Sequence, residues 1–396
     1  MLNDKIIFAN RRTCFEKPGG DTIQMLKTKE YLEKQYGLEI KICLTPSDIL
    51  KDDESEIVHI FNIQTIDETL AFMDACKKKD KKIVLTPIHW DYSHAIYIKY
   101  LAFLNIYPSN NFLKFFKAPV INLFNIFILS LPFLRKKYAD YLQKGLINTN
   151  SYVKKRQKAL LDADIILSNS QEELQIYSKI FYIRPEIIEE KAQIIPNAVD
   201  QNLFTSNEID NDNKNFNLPE NYVLQVGRIE PAKNQINVLQ SLYNLKHIPV
   251  VFVGHPIDLK YFKKLKKIAK KRGNVFFVDN ISHDKLLNFY KKAGVHVLPS
   301  FAETTGLVTL EALLSGCCAV VSSKEYCPVM YYEFDKYCHL CNPYDIRSIR
   351  KAILNGFDNP KTIIVSDDYK NKISYQNTAD KTYQSYLSLY KPTKKP

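Results

Sequence analysis

Glu303 and Glu311 stand eight positions apart in ETTGLVTLEALLSGC, a stretch with no other charge that follows the apolar run VHVLPS after Phe301 and Ala302. On a single helix that gap corresponds to about 12 Å along the axis. Cleavage of a glycosidic bond by a carboxylate pair needs about 5–5.5 Å for retention or about 6.5–9.5 Å for inversion, so this pair does not suit hydrolysis. It suits a long ligand held at both ends. A sugar nucleotide is one, with hexose hydroxyls at one acid and ribose hydroxyls at the other. Its diphosphate then lies between them, over Thr304, Thr305 and Gly306. Glycine at 306 lets backbone approach a ligand where a Cβ would intrude.

Two cations fit the same ligand. Arg228 and Lys233 lie in VGRIEPAKN, just after a predicted strand and just before a predicted helix. Helix N-termini favour negative charge, Arg offers a fork of donors and Lys a point charge, which together make a diphosphate site. The plainer reading is that both are solvated loop charges. The loop VGHP, with Gly254, follows another predicted strand and belongs at the same rim. His89, in TPIHW, follows an apolar run as well, where a lone histidine is often a half-buried structural residue. No metal site is expected. Asp162-Ala163-Asp164 precedes IILS, at the amino end of a predicted strand, and Asp210-Asn211-Asp212 falls in a polar stretch. Cys338 and Cys341 form a C-x-x-C with no second pair at zinc spacing.

Strand–helix units must position these residues. KIIFA (5–9), LEIKICL, EIVHIFN, KKIVLTPIH and ADIILSNS read as strands apolar enough for burial on both faces, as parallel strands are. A loop ending in Gly19-Gly20 leads from the first of them into a helix over 21–35. The polar stretch TSNEIDNDNKNFNLPEN (205–221) breaks the alternation, and NYVLQVGR, PVVFVGH, NVFFVDN, VHVLPS and CAVVSS restart it. Alternation twice over, split by a linker, predicts an α/β chain of two doubly wound, Rossmann-like domains facing a cleft.

A length of 396 residues supplies two cores, and 45% hydrophobic with 25% charged residues excludes a disordered or fibrous chain. Eight cysteines without a disulfide framework, and the start MLNDKIIFANRRT without an apolar signal stretch, point to the cytoplasm. The net charge of +12 is uneven: residues 112–158 hold ten Lys or Arg against one acid, around APVINLFNIFILSLPFL. That run falls short of the about 20 apolar residues a spanning helix needs. It is expected to dock peripherally on the cytoplasmic face of an anionic membrane, the alternative being a buried core helix. The lysine-rich KYFKKLKKIAKKR (260–272) reads as a solvated face. No nucleic-acid-binding module accompanies the basic charge, so a nucleic-acid partner is not expected.

In order and spacing these motifs resemble the retaining glycosyltransferases of family four, glycosyl transferases group 1, which have the GT-B fold. GRIEPAKN is similar to the family's G-R-x-x-x-x-K-N and ETTGLVTLE to its E-x7-E. GGDTIQMLKTKEYLEK, IPNAVDQNLF and SYQNTADKTYQSYLSLY add support, so the resemblance covers nearly the whole chain. It implies an N-terminal acceptor-side domain over 1–204, a donor-side domain over 205–375, and a C-terminal helix over 376–396 that crosses back to the first domain.

The resemblance also implies roles. Arg228 and Lys233 would bind the donor diphosphate and stabilise it as it leaves. Glu303 would contact the hexose near its reacting carbon, and Glu311 would accept hydrogen bonds from the ribose. Amides of Thr305, Gly306 and Leu307 would meet sugar and phosphate, Gly19 and Gly20 would lie near the donor, and His89 would face the sugar. The implied reaction moves a hexose, with retention, from a UDP- or GDP-type sugar to a glycan or lipid-linked acceptor in surface polysaccharide or glycoconjugate synthesis. The nucleotide sugar is a co-substrate, and no cofactor is implied. Thr305 departs from the family, where an aromatic residue is usual, and Cys318 stands where proline is common. The alternatives are a non-catalytic sugar-nucleotide-binding protein and a nucleotide-sugar epimerase of the same fold.

Overall fold

The structure, a computed structural model, describes residues 3–107, 118–131, 147–206, 218–279, 281–358 and 364–390. The chain divides into two compact units. The first comprises Met1–Asp91, Ile126–Ala198 and Asn371–Pro396. Its sheet holds β1 (Lys5–Ala9), β2 (Glu39–Cys43), β3 (Ile57–Phe61), β4 (Lys82–Thr86), β5 (Ile165–Ser168) and β6 (Ala192–Ile194). The order is β2-β1-β3-β4-β5-β6, and every pairing is parallel. Ile7, Ala9, Val58 and Ile60 pack on one face, Ile6, Phe8, Ile57 and Phe61 on the other. This alternation explains why the strands read as unbroken apolar runs: both faces are covered.

The strand order reverses between β1 and β3, and the loop after β1 ends at Gly19, the N-cap of the helix Gly20–Tyr36. The helix Tyr375–Ser388 packs on that helix, with the Tyr36 and Tyr383 rings stacked at 3.8 Å. His59, on β3, is fixed to the same terminal helix: its Nδ1 lies 2.8 Å from the Tyr386 hydroxyl and its Nε2 2.7 Å from Thr86 Oγ1.

The second unit comprises Tyr92–Asn125 and Val199–Lys370. Its sheet holds β7 (Tyr222–Val226), β8 (Val250–Val253), β9 (Val275–Val278), β10 (Ala293–Leu298), β11 (Ala319–Ser322) and β12 (Cys338–Cys341). The order β12-β11-β10-β7-β8-β9 is the doubly wound dinucleotide-binding order, with its switch between β7 and β10. Loops after those two strands carry Arg228, Lys233 and Glu303. A Cβ on Gly254, after β8, would lie 2.2 Å from the Gly227 carbonyl oxygen, so the loops following β7 and β8 meet backbone to backbone.

Three features differ from the sequence reading. β6 and β12 escape it because AQI and CHLC are short and mixed in polarity. Residues 92–125, expected in the first domain, group with the second unit. The cause is packing: Ala95, Ile98 and Leu101 of the helix Ser93–Phe103 cluster with Phe301, Tyr326 and Tyr344. In 112–158, residues 112–117 and 132–146 lie outside the described residues. Of the four cations among the described residues, Arg156 is buried, Lys155 pairs with Asp67, Lys158 pairs with Asp162, and Lys154 is exposed. The helix Ala118–Ser130 is two-faced, with Ile121, Asn125 and Ile128 buried while Leu123 and Phe127 are 66% and 62% exposed. Among the described residues no helix is long and apolar enough to cross a membrane.

Candidate active site

The β7 loop is built around its polar residues. Glu230 caps a single 3-10 turn, Pro231–Lys233, and its carbonyl accepts from the Lys233 amide at 3.0 Å. Asn234 then takes a left-handed conformation, φ 65°, that points the chain into the helix Gln235–Ser241. Its buried side chain donates to the Pro299 and Pro343 carbonyls at 3.1 and 2.8 Å, tying this loop to those after β10 and β12. The Phe301 amide donates to the Ala232 carbonyl at 2.9 Å, a second tie.

Those ties bring Lys233 and Glu303 into direct contact: Nζ donates to Oε1. The sequence reading placed both near the ligand and did not foresee that they pair. Arg228 is 60% exposed, with its guanidinium 3.0 Å from Glu230 Oε1. Glu230 is itself 3% exposed and also holds Lys99 Nζ at 2.8 Å. Burial alone pushes its carboxyl up, but Lys99 and then Arg228 outweigh that and hold it at about 2.

Glu303 and Glu311 do not share a helix. Gly306 is the N-cap of Leu307–Leu314, so Glu303 sits in the entrance loop and Glu311 inside the helix. Gly306 has φ 80°, and a Cβ there would meet only ordinary contacts beyond 3.5 Å. Within the protein, its requirement is the left-handed turn. As the first residue of that helix, Leu307 has an amide without an intrahelical acceptor, while the Thr309 amide donates to the Gly306 carbonyl at 2.8 Å. Thr305 is buried, with its hydroxyl 3.5 Å from that of Tyr332.

Glu311 is buried and doubly held: Oε2 accepts from the Tyr290 hydroxyl at 2.9 Å, and Oε1 lies 2.8 Å from His283 Nε2. Burial first, then the Glu311 carboxylate, drives the Tyr290 phenol far up, so it stays protonated and donates. His283 is 55% exposed at the side chain.

In the first unit, Gly19 is half-buried and Gly20 exposed. A Cβ on Gly19 would come 2.8 Å from Asp21 Oδ1, which belongs to the Arg11–Asp21 ion pair, whereas Gly20 has open space. His89 departs from the expectation of an open ring facing sugar. It is 1% exposed, packs on Phe181 at 5.3 Å between ring centroids, and its amide donates to Glu173 Oε1 at 2.6 Å. Burial, then Arg156, lowers its basicity far below the usual histidine range, so it is neutral. Asp162 is paired with Lys77 and Lys158, and Asp164 accepts from the Ile83 amide at 2.7 Å, which gives both acids structural work. Asp210-Asn211-Asp212 lies outside the described residues.

Sequence reasoning missed Glu230, Lys99, Asn234, Tyr290 and His283. Glu230 and Asn234 stand inside GRIEPAKN itself, so the motif was the available signal. Nothing in the sequence links Lys99 to residue 230. Only folding does.

Residues 206–374 match the family model for glycosyl transferases group 1. A D-inositol 3-phosphate glycosyltransferase of Mycolicibacterium smegmatis is 26% identical over 58% of this chain and 54% of that protein. The capsular polysaccharide biosynthesis glycosyltransferase CapH of Staphylococcus aureus is 26% identical over 79% of this chain and 81% of that protein. The chain thus spans about half the length of the first of these relatives and most of the second. Among solved structures, Anabaena Alr3699/HepE, in complex with UDP and glucose, superposes with a TM-score of 0.67 at 13% identity, over 98% of this chain and 100% of that one. The chain has the GT-B fold and is a homologue of glycosyltransferases.

Proposed function

We propose that this protein is a retaining glycosyltransferase that moves a hexose from a UDP- or GDP-type sugar to a glycan or lipid-linked acceptor in surface polysaccharide synthesis. The observation that carries the reading is the meeting of Lys233 and Glu303 at the sheet's switch point, with Arg228 exposed beside them. The relatives' roles in capsule and inositol-phosphate glycosylation, and the UDP and glucose bound by the Anabaena neighbour, support it.

In the proposed reaction the diphosphate takes Lys233 from Glu303, which frees that carboxylate to accept hexose hydroxyls beside the reacting carbon. Arg228 and Lys233 then stabilise the charge that develops on the departing diphosphate, the main catalytic task when no protein nucleophile takes part. Glu311, positioned by Tyr290, accepts from the ribose. These cations supply the positive charge at the phosphates, and the reading calls for no metal or other cofactor. Docking of the exposed Leu123–Phe127 face on an anionic bilayer fits a lipid-linked acceptor, and co-sedimentation with anionic liposomes at low salt tests that part.

A panel of UDP- and GDP-sugars, with release of the nucleoside diphosphate as the readout, tests the activity. Release from one donor, lost in Arg228→Ala, is expected; no release from any donor with wild-type protein contradicts the reading.

A further inference from the structure

Lys99 belongs to the helix Ser93–Phe103, encoded far ahead of the rest of the second unit, yet its ammonium reaches the loop after β7. There it meets Glu230 at 2.8 Å while Arg228 approaches the same carboxylate at 3.0 Å. The two cations differ in exposure: the Lys99 side chain is 21% exposed and that of Arg228 60%. Glu230 cannot turn away from either, because it is buried and its backbone forms the turn that carries Lys233.

We infer that Lys99, acting through Glu230, is a positioning residue that sets how strongly Arg228 and Lys233 hold a diphosphate; this rests on the donor reading proposed above. The physical reason is charge balance. Arg228, Lys233 and Lys99 stand against Glu230 and Glu303, which leaves the cluster with one net positive charge. Without Lys99 that charge is zero, and Glu230, buried and left with Arg228 as its ion-pair partner and Lys233 as a more distant charge, draws the guanidinium inward. The ligand then competes with a stronger internal partner for the same donor groups. With Lys99 in place Glu230 only tethers Arg228 and leaves its remaining N–H donors for phosphate oxygens. The aromatic cluster of Phe301, Tyr326 and Tyr344 holds the Lys99 helix in register on this loop.

Calorimetric titration of the full chain with UDP, and separately with GDP, at fixed ionic strength tests the inference. Lys99→Met is expected to weaken binding of the preferred diphosphate about fivefold, the scale of one partly screened charge at short range. Lys99→Arg should restore it to within about twofold, and affinity for the matching nucleoside without phosphate should not move. In a Glu230→Gln background, Lys99→Met should cost less than about twofold, since the residue through which it acts has lost its charge. KM for the donor should rise and kcat should fall as well, because Arg228 also stabilises the departing diphosphate. Lys99→Gln serves the same purpose if the Met variant does not fold. Unchanged diphosphate affinity in Lys99→Met, with affinity lost in Arg228→Ala, overturns the inference and leaves the donor reading intact. Equal weakening for the nucleoside overturns it too, because that marks general loop damage. Wild-type protein that binds neither diphosphate overturns the donor reading and the inference together.

Discussion

Replacing Glu303 by Gln removes the charge that Lys233 holds while keeping the side chain's size. The two side chains touch, with 17% and 14% of their surface exposed, so the contact is only partly screened. Close, partly buried charge pairs couple by about 1.5 kcal/mol or more. A diphosphate must displace Glu303 from Lys233 before it can use that ammonium, so this coupling is subtracted from ligand affinity. At 1.4 kcal/mol per factor of ten, Glu303→Gln should tighten binding of the free nucleoside diphosphate about tenfold. Turnover should move the opposite way. A neutral amide beside the reacting carbon stabilises developing positive charge less well than a carboxylate, and loss of one such electrostatic contact costs about 2.7–4 kcal/mol, or about 100- to 1,000-fold in kcat. Calorimetry with UDP and GDP reads the first effect, and steady-state transfer reads the second. Weaker diphosphate binding in Glu303→Gln, or unchanged kcat, would refute the idea that this carboxylate passes from Lys233 to the sugar.

Glu311→Ala should raise the donor KM more than it lowers kcat, because a ribose contact is made in ground and transition states alike; a pure kcat defect contradicts the ribose assignment. Tyr290→Phe removes a 2.9 Å hydrogen bond to a buried carboxylate and should destabilise the second unit by about 1.5–3 kcal/mol in denaturant titration. The Glu230 carboxyl is depressed from 4.5 to about 2, so its contribution is present above pH 4.5 and lost as pH falls toward 2. Glu230→Gln should therefore narrow its stability deficit against wild type between those limits, and a deficit independent of pH contradicts the ion-pair account. Transfer should survive exhaustive EDTA treatment; complete loss restored by magnesium or manganese shows that the phosphate site has been misread.

Most of the fold was legible because buried parallel strands announce themselves. Tyr222–Val226, Val250–Val253 and Ala319–Ser322 are runs apolar but for Gln225 and Ser322, and the sequence reading placed all three within a residue or two. β6 and β12, at the sheet edges, have less to bury and left no such run. At the site, charge and spacing pointed to Arg228, Lys233, Glu303 and Glu311, but spacing carries no direction. Whether Lys233 faces Glu303, or what occupies Glu311, depends on loop ties such as Asn234 to Pro299 and Pro343. His89 shows the opposite failure: a histidine after an apolar strand reads the same whether its ring meets a ligand or packs on Phe181. The helix Ala118–Ser130 divides for a similar reason. Apolar residues stand on both of its sides, and only packing tells the buried Ile121–Ile128 side from the exposed Leu123–Phe127 side.

The anomeric configuration of the transferred sugar tests the account most directly. Proton NMR of the product, formed from the donor that the nucleotide-sugar panel selects, reads it from the coupling constant of the anomeric proton. An α-linked donor should give an α-linked product in wild-type protein, and Arg228→Ala and Lys233→Ala should each lower its formation about 100-fold or more without change of anomer. An inverted product, or full activity in both variants, contradicts the claim that these cations drive a retaining departure of the diphosphate.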